Sequence, residues 1–162
     1  MSDLRPKLYR FALAHVKRTD EAEDIVQEVG LKLWERRDEL AAVRSVEAYA
    51  MSATRNRCND YARSPGRRTD QLMEMPDDAH EQTPYESLEK TDMVAFVRLL
   101  IDRLPEQQQM VIRLRDIEGY ELEEIAEILN ISGSATRANL SRARQKIREE
   151  LLKQECNERT KN

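Results

Sequence analysis

The amino-acid sequence predicts an all-α protein with two small helical domains joined by a flexible acidic linker, the C-terminal domain containing a helix-turn-helix. Apolar residues recur three and four positions apart, and no sustained alternation of apolar and polar residues indicates a sheet. Hydrophobic residues make up 40% of the chain and charged residues 36%, with only four glycines and five prolines. Such a composition is typical of a helix-rich protein.

The N-terminal domain, residues 1–63, is predicted to contain three helices, over about residues 4–16, 19–40 and 45–63. Thr19 or Asp20 is expected to cap the second helix, because its side-chain oxygen can accept a free backbone N–H. The second helix has a stripe of apolar residues: Ala22, Ile25, Val29 and Leu33, widened by Val26 and Trp34. The third helix is expected to direct one face inward: Val46, Tyr49, Ala50, Ala53 and Cys58.

Gly30 conflicts locally with this prediction. It lies in the middle of the second helix, where glycine costs about 1 kcal/mol relative to alanine. Two explanations stay open at this stage. Either another helix approaches so closely that no side chain fits, or the cost is simply tolerated.

Residues 64–86 are interpreted as the linker. This segment contains three prolines and a glycine but no helical stripe, and residues 64–92 carry a net charge of −5. Low hydrophobicity combined with net charge favours an extended chain over a packed one. A second polar segment, the tail at 154–162, is expected to fray.

The C-terminal domain, residues 87–153, is predicted to begin with a helix over about residues 88–104. Its apolar stripe contains Val94, Val97, Leu100 or Ile101, and Leu104. Pro105 is expected to be the first residue of the next helix, where its missing N–H costs nothing. Gly119 is expected to end that helix, since glycine readily adopts the left-handed conformation of a helix stop.

A helix-turn-helix is predicted after Gly119. Leu122, Ile125, Ala126 and Leu129 form one helical face, and Ser132 is placed to cap a second helix. The inner face of that second helix contains Thr136, Leu140, Ala143, Ile147 and Leu151. Its opposite face contains Ser134, Arg137, Ser141, Arg142, Arg144 and Arg148. A basic helix after a tight turn suits the major groove of duplex DNA.

The charge distribution favours DNA binding over an ordinary helical bundle with a solvated outer face. Six basic and two acidic residues lie between Ser134 and Lys153, a net charge of +4 on a chain whose total is −4. A localised basic helix on an acidic protein is what nucleic-acid binding requires.

Other classes of function lack support in the sequence. No segment approaches the roughly 20 apolar residues of a membrane span, which predicts a cytoplasmic protein without membrane insertion. Cys58, Cys156, His15 and His80 are isolated, so neither a metal site nor a disulfide framework is expected. No phosphate-binding loop or catalytic signature is present. We therefore predict no cofactor, no metal and no catalytic residue.

Two polar faces of the N-terminal domain each allow two interpretations. A strip on the second helix, Asp24, Gln27, Glu28 and Leu31, is either a solvated surface or a docking surface for a partner. On the third helix, basic and amide groups alternate with Tyr49 and Tyr61. Aromatic rings among charges suit single-stranded nucleic acid, yet such tyrosines equally suit a partly buried core.

Two blocks of the sequence resemble the extracytoplasmic-function group of the sigma-70 family, the small two-domain sigma factors of bacterial RNA polymerase. The first comprises EAEDIVQEVGLKLW at 21–34 and AYAMSATRNRCNDYAR at 48–63, which are similar to the second conserved region. The other is LPEQQQMVIRLRDIEGYELEEIAEILNISGSATRANLSRARQKIREEL at 104–151, which is similar to the fourth.

The resemblance implies a role for each face. Polymerase docking is implied for Asp24, Gln27, Glu28 and Leu31. Capture of the promoter −10 element and assistance in melting are implied for Tyr49, Arg55, Asn56, Arg57, Asp60 and Arg63. Recognition of the −35 element is implied for Ser134, Arg137, Ala138, Ser141, Arg142 and Arg144. The partners implied are core RNA polymerase, promoter DNA and an anti-sigma factor, and the protein would have no catalytic activity of its own.

The sequence departs from this family at three places. Gly30 replaces a large apolar or aromatic residue, Thr136 replaces a valine, and Ala138 with Asn139 replaces more polar or basic residues of the recognition helix. Two other functions remain open at this stage. One is a dimeric helix-turn-helix regulator that acts without polymerase, and the other is a helical adaptor whose basic helix binds an acidic protein.

Overall fold

The computed structural model describes residues 3–64 and 87–161, which form two compact units. Every regular element in these residues is a helix, which confirms the predicted all-α class. Of the proposed linker, 64–86, all but Ser64 lies outside the described residues. The part of the chain that the structure describes contains no helix long and apolar enough to cross a membrane.

The first unit is built from three long helices and one short one. They are α1 (Leu4–Val16), α2 (Thr19–Glu35), α3 (Arg37–Leu40) and α4 (Val46–Ala62). α1 packs on both α2 and α4, and α2 also packs on α4. The predicted stripe of α2 is buried, with Ile25 and Val29 almost fully enclosed. Each helix therefore buries one apolar face, as helical periodicity predicts.

The boundaries of α2 differ from the prediction at both ends. Thr19 and Asp20 do not cap the helix; the N-cap residue is Arg18, which makes no capping bond. Instead, the Arg18 guanidinium bonds the Asp20 carboxylate at 3.0 Å. The helix also ends at Glu35 rather than near Leu40. There, Arg37 Nη1 donates to the carbonyl oxygen of Trp34 at 2.9 Å, which occupies an acceptor that a continuing helix uses.

α4 begins as predicted, but its buried face differs from the predicted one: of the five residues expected to face inward only Ala50 and Cys58 are buried. Ser45 precedes it, and its hydroxyl accepts the backbone N–H of Ala48 at 3.1 Å. Met51, Thr54 and Cys58 are fully buried, and the Thr54 hydroxyl donates to the Ala50 carbonyl oxygen at 2.8 Å. The hydroxyl therefore enters the core with its hydrogen bond satisfied.

Two apolar residues of the first unit are more exposed than predicted. Val46, the first residue of α4, is 39% exposed and contributes little to the core. Trp34 is 63% exposed, with the Arg37 guanidinium 4.8 Å from the centre of its ring. α2 ends at Glu35, one residue after Trp34. Trp34 lies outside the packed stripe, and the Arg37 guanidinium, instead of a helix, covers its ring.

Gly30 lies on the exposed side of α2. A Cβ atom added there would have no neighbouring atom within 4 Å. The explanation by close helix approach is therefore wrong, and the first unit tolerates the cost of a glycine in a helix.

We expect Gly30→Ala to raise the free energy of unfolding by about 1 kcal/mol, because alanine lowers the entropy lost on helix formation and has room here. Urea denaturation followed by helical circular dichroism measures this. Gly119→Ala is the contrasting variant, because Gly119 has φ 81° and alanine is strained there. An unchanged or lowered stability of Gly30→Ala would contradict the open environment of this position.

The second unit begins with α5 (Ser87–Asp102) and α6 (Glu106–Ile112), which continues as a π-helical turn (Arg113–Ile117). Pro105 is the residue before α6 rather than its first residue, with an extended ψ of 145°. The α5 to α6 junction is closed by Gln109, whose Nε2 donates to the carbonyl oxygens of Asp102 and Leu104, each at 2.8 Å. Gly119 ends the π-helical turn in the left-handed conformation, as predicted.

The remaining helices are α7 (Leu122–Leu129) and α8 (Gly133–Lys161). α8 packs on α5 and α6. Leu100, Ile101 and Leu104 are buried as predicted, but Val94 is 46% exposed, so the predicted stripe of α5 is buried only towards its C-terminal end.

α8 continues past Leu152 to Lys161, so the segment that was expected to fray is helical in the structure. This segment contains neither glycine nor proline. Lys153 pairs with Glu150 one turn earlier at 2.6 Å, an arrangement that stabilises helices modestly.

Candidate nucleic-acid interface

The helix-turn-helix consists of α7, a turn at 130–132, and α8. Asn130 has a positive φ of 52° and reverses the chain direction after α7. Ser132 then caps α8 as predicted: its hydroxyl accepts the N–H of Ala135 at 3.1 Å and its carbonyl oxygen accepts that of Thr136 at 2.9 Å. These bonds satisfy the free donors at the start of α8 and fix the direction in which it leaves the turn.

The inner face of α8 is buried at Thr136, Leu140 and Ala143 and half-buried at Ile147 and Leu151, and two polar residues of α8 are buried. The Thr136 hydroxyl donates to the Ser132 carbonyl oxygen at 3.0 Å, so this buried threonine leaves no unsatisfied hydroxyl. Asn139 is also buried, and its amide donates to Gln107 on α6 at 3.3 Å. Asn139 therefore belongs to the contact between α6 and α8 and not to the exposed face of α8.

The outer face of α8 is exposed over more than four turns. All six residues predicted there are exposed: Ser134, Arg137, Ser141, Arg142, Arg144 and Arg148. Ala138, which lies between them, is half-buried. Within the described part of the chain, the guanidinium groups of Arg137 and Arg142 have no ion-pair partner. Both are available to an external anion.

Arg144, unlike Arg137 and Arg142, is engaged in an ion pair, with Asp116. Its Nε lies 3.0 Å from Asp116 Oδ2 and its Nη2 lies 2.5 Å from Asp116 Oδ1, a two-pronged contact with the π-helical turn. Hydrogen bonding to Asp116 raises the pKa of Arg144 above its ordinary value. Sequence reasoning missed Asp116, because 28 residues separate it from Arg144 and no local pattern connects them.

The face of α4 that was predicted to bind the −10 element is only partly continuous. Tyr49, Asn56, Asp60 and Arg63 are seven, four and three residues apart, which places them on one side of the helix. Arg55 and Arg57 flank this side, one on each edge. The structure therefore gathers four of the six predicted residues into a stripe and places the two arginines at its borders.

The two tyrosines of α4 are half-buried, and each contacts an arginine. The Tyr49 hydroxyl lies 3.4 Å from Arg36 Nη1, within hydrogen-bond distance. The Arg57 guanidinium lies 5.1 Å from the centre of the Tyr61 ring, a cation–π distance. Both rings are thus partly buried, and each has an arginine beside it.

The polar strip of α2 is divided by the structure. Asp24, Gln27 and Leu31 are exposed, and the leucine is 63% exposed. Glu28 is half-buried and faces α4, where its Oε2 accepts the Nε–H of Arg57. The hydrogen bond from Arg57, with a smaller one from Tyr61, lowers the pKa of Glu28 below its ordinary value of 4.5.

Family comparisons agree with this division into two helical units. Residues 1–68 match the Sigma-70 region 2 model, and residues 97–147 match the Sigma-70 region 4 model. The chain is 28% identical over 152 residues to the ECF RNA polymerase sigma factor SigE of Mycolicibacterium smegmatis, covering 91% of this chain and 58% of that one. The chain belongs to the extracytoplasmic-function group of the sigma-70 family. The resemblance noted in the sequence is thereby confirmed.

Another relative of this ECF sigma factor and two solved structures are also similar to it. It is 30% identical to the probable RNA polymerase sigma factor RfaY of Xanthomonas campestris pv. campestris, but it spans only 36% of that relative. The solved sigma factor RpoE of Bartonella quintana, in complex with the anti-sigma factor NepR, has a TM-score of 0.70 at 26% identity and 91% coverage of each chain. CnrH, solved with the cytosolic domain of CnrY, shares the fold with a TM-score of 0.61 at 21% identity.

We expect Ser132→Ala to lower the free energy of unfolding by about 0.5–2 kcal/mol, because the first turn of α8 loses its capping oxygen. Thermal or urea denaturation measures the change. Ser134→Ala is the matched control, since this exposed hydroxyl contacts only the Ser132 hydroxyl in the described residues. Equal effects of the two changes would show that the cap contributes nothing.

The pairing of Glu28 predicts a pH-dependent difference in stability. Because folding lowers the pKa of Glu28, its contribution is present above about pH 4.5 and is lost as the pH falls through the lower folded pKa. We expect Glu28→Gln to lower the free energy of unfolding by at most about 1 kcal/mol at pH 7, since the pair is partly exposed. The difference should shrink as the pH falls below 4.5. Glu23→Gln, the same change at an exposed carboxylate of α2, is the matched control.

Proposed function

We propose that this protein binds core RNA polymerase, directs it to specific promoters through the −10 and −35 elements, and assists DNA melting. The observation that carries the proposal is the presence of both sigma-70 regions in one chain, each forming a folded unit that exposes an arginine-bearing helix face. A factor of this kind needs two separate contacts with a promoter and one with the polymerase.

In the second unit, α8 is the proposed recognition helix for the −35 element. Ser134, Arg137, Ala138, Ser141 and Arg142 follow a helical spacing along one side. The major groove is about 12 Å wide and admits such a helix, and guanidinium binds the O6 and N7 edge of guanine through two hydrogen bonds. The unpaired state of Arg137 and Arg142 supports them as base or phosphate contacts. Arg144 is proposed to contact phosphate, in competition with Asp116.

In the first unit, α4 is the proposed helix for the −10 element. Its outward stripe combines Tyr49 and Asn56 with Arg63, flanked by Arg55 and Arg57. Aromatic rings stack on unpaired bases, and the basic groups attract the phosphates of a displaced single strand. Asp60 reduces the positive charge of this face. Charge alone is therefore insufficient to bind the displaced strand, and stacking of bases on the aromatic rings is expected to contribute.

Polymerase docking is proposed for the exposed side of α2. Asp24 and Gln27 offer hydrogen-bonding groups beside Leu31, and Trp34 extends the apolar area. Exposed apolar side chains of this size, surrounded by polar residues, are typical of protein interfaces. Glu28 belongs to the same strip in sequence, but the structure pairs it with Arg57.

An anti-sigma factor is a further proposed partner. RpoE was solved with NepR, and CnrH with the cytosolic domain of CnrY. These complexes describe those two proteins, and only the shared family and fold support the same kind of regulation here.

Run-off transcription with purified core polymerase and a library of genomic promoters tests the proposal. We expect the protein to direct initiation from a defined set of promoters, with no transcripts from core polymerase alone. Binding to duplex DNA without any effect of polymerase would favour a helix-turn-helix regulator. Binding to neither DNA nor polymerase would favour an adaptor.

Variants separate the two proposed roles. Arg137→Ala and Arg142→Ala should each lower initiation at −35-dependent promoters by about tenfold, since a lost base contact costs about 1–3 kcal/mol. Their affinity for core polymerase should be unchanged. Asp24→Ala combined with Leu31→Ala should weaken polymerase capture and leave duplex binding intact. Arg148→Ala, farther along the exposed side of α8, is the matched arginine control.

A further inference from the structure

Glu28 lies on the border between the proposed docking surface and the proposed DNA surface. It follows Asp24 by one turn on α2, and its side chain is 37% exposed while its carboxylate contacts α4. The carboxylate accepts a hydrogen bond from Arg57 Nε, and the Arg57 guanidinium in turn lies over the Tyr61 ring, both residues on α4. We call these three residues the Glu28 triad.

The triad restricts how the Arg57 guanidinium can point. Nε is engaged by Glu28, and Cζ lies over the Tyr61 ring, 5.1 Å from its centre. Nη1 lies 3.9 Å from Asp60 Oδ2, too far for a direct hydrogen bond. The N–H groups on the terminal nitrogens are therefore left for an external acceptor, while the rest of the group is held.

The triad adds little to the free energy of folding, but it fixes the orientation of the Arg57 side chain. Partly exposed ion pairs add little to the free energy of folding. However, an arginine side chain has many rotamers, and fixing one of them in advance reduces the entropy lost when it binds a ligand. The triad thus prepares a stacked guanidinium and a tyrosine ring at the edge of α4, next to the stripe of Asn56 and Asp60.

We propose that Glu28 is a positioning residue for promoter capture: it holds Arg57 and Tyr61 in place to bind a phosphate and a base of the displaced single strand. The inference rests on the proposed function and deepens it. It reassigns Glu28 from the docking surface, because its carboxylate is already bonded to the Arg57 guanidinium of α4. Asp24, Gln27 and Leu31 remain the docking residues.

The test compares Glu28→Gln, Arg57→Gln and the double variant in complex with core polymerase. Two quantities are measured: the affinity for core polymerase, and the binding of saturated holoenzyme to a promoter whose −10 region is already unpaired. We expect Glu28→Gln to leave polymerase affinity within about twofold and to weaken binding to the unpaired promoter by about fivefold. Glu23→Gln, the same chemical change on an exposed part of α2, should alter neither quantity.

The double variant distinguishes positioning from a general loss of structure. If Glu28 acts through Arg57, Glu28→Gln should have no further effect once Arg57 is glutamine, which is the coupling that a double-mutant cycle detects. Urea denaturation of each variant verifies that it folds. Arg57→Gln removes the same arrangement from the other side, so the proposal stays testable if one variant is unstable.

Two results would overturn the proposal. One is weakened polymerase capture by Glu28→Gln with normal promoter binding at saturation, which would return Glu28 to the docking surface. The other is an additive loss in the double variant. Failure of the proposed function is a separate outcome, because the unaltered protein would then direct no initiation with core polymerase.

Discussion

The packing of α2 against α1 and α4 is the constraint on which the first unit depends. Ile25 and Val29 are enclosed on one side of α2, so the opposite side must carry the charged and polar residues. Glu28 falls between these two sides. Its position on the helix, three residues after Ile25, is what brings a carboxylate from an otherwise outward strip into contact with α4.

The second unit uses a comparable arrangement with different elements. Asp116, on the π-helical turn after α6, holds Arg144 of α8 much as Glu28 holds Arg57. In each unit an arginine assigned to DNA is therefore bound to a carboxylate of a neighbouring element, whereas Arg137 and Arg142 have no such partner in the described chain. Partly exposed ion pairs are weak enough to exchange for a phosphate.

Some features set by local sequence were predicted, although the cap of α2 and the place of Pro105 were not. The 3.6-residue periodicity located the major helices, and the caps at Ser132 and the start of α4 at Ser45 follow from serine chemistry alone. The inner and outer faces of α8 were also assigned correctly. These features depend on neighbours within four residues, which a single sequence displays directly.

Features set by contacts between distant residues were not predicted. The contact of Asn139 with Gln107 joins positions 32 apart, and the pairing of Glu28 with Arg57 joins positions 29 apart. The end of α2 at Glu35 was not predicted either, and there the Arg37 guanidinium bonds the Trp34 carbonyl oxygen. Gly30 is the simplest example of what a single sequence does not display, since only the fold reveals that the space around it is empty. The separation of Glu28 from the exposed residues of the α2 strip likewise follows from a contact between distant residues.

The two cysteines differ in accessibility, so that thiol labelling reports the opening of one helix. Cys58 is fully buried in α4, one residue after Arg57, whereas Cys156 is exposed near the end of α8. A thiol reagent will modify Cys156 at once and Cys58 only when α4 separates from its neighbours. The slow phase of labelling therefore measures how often this helix opens, without any added probe.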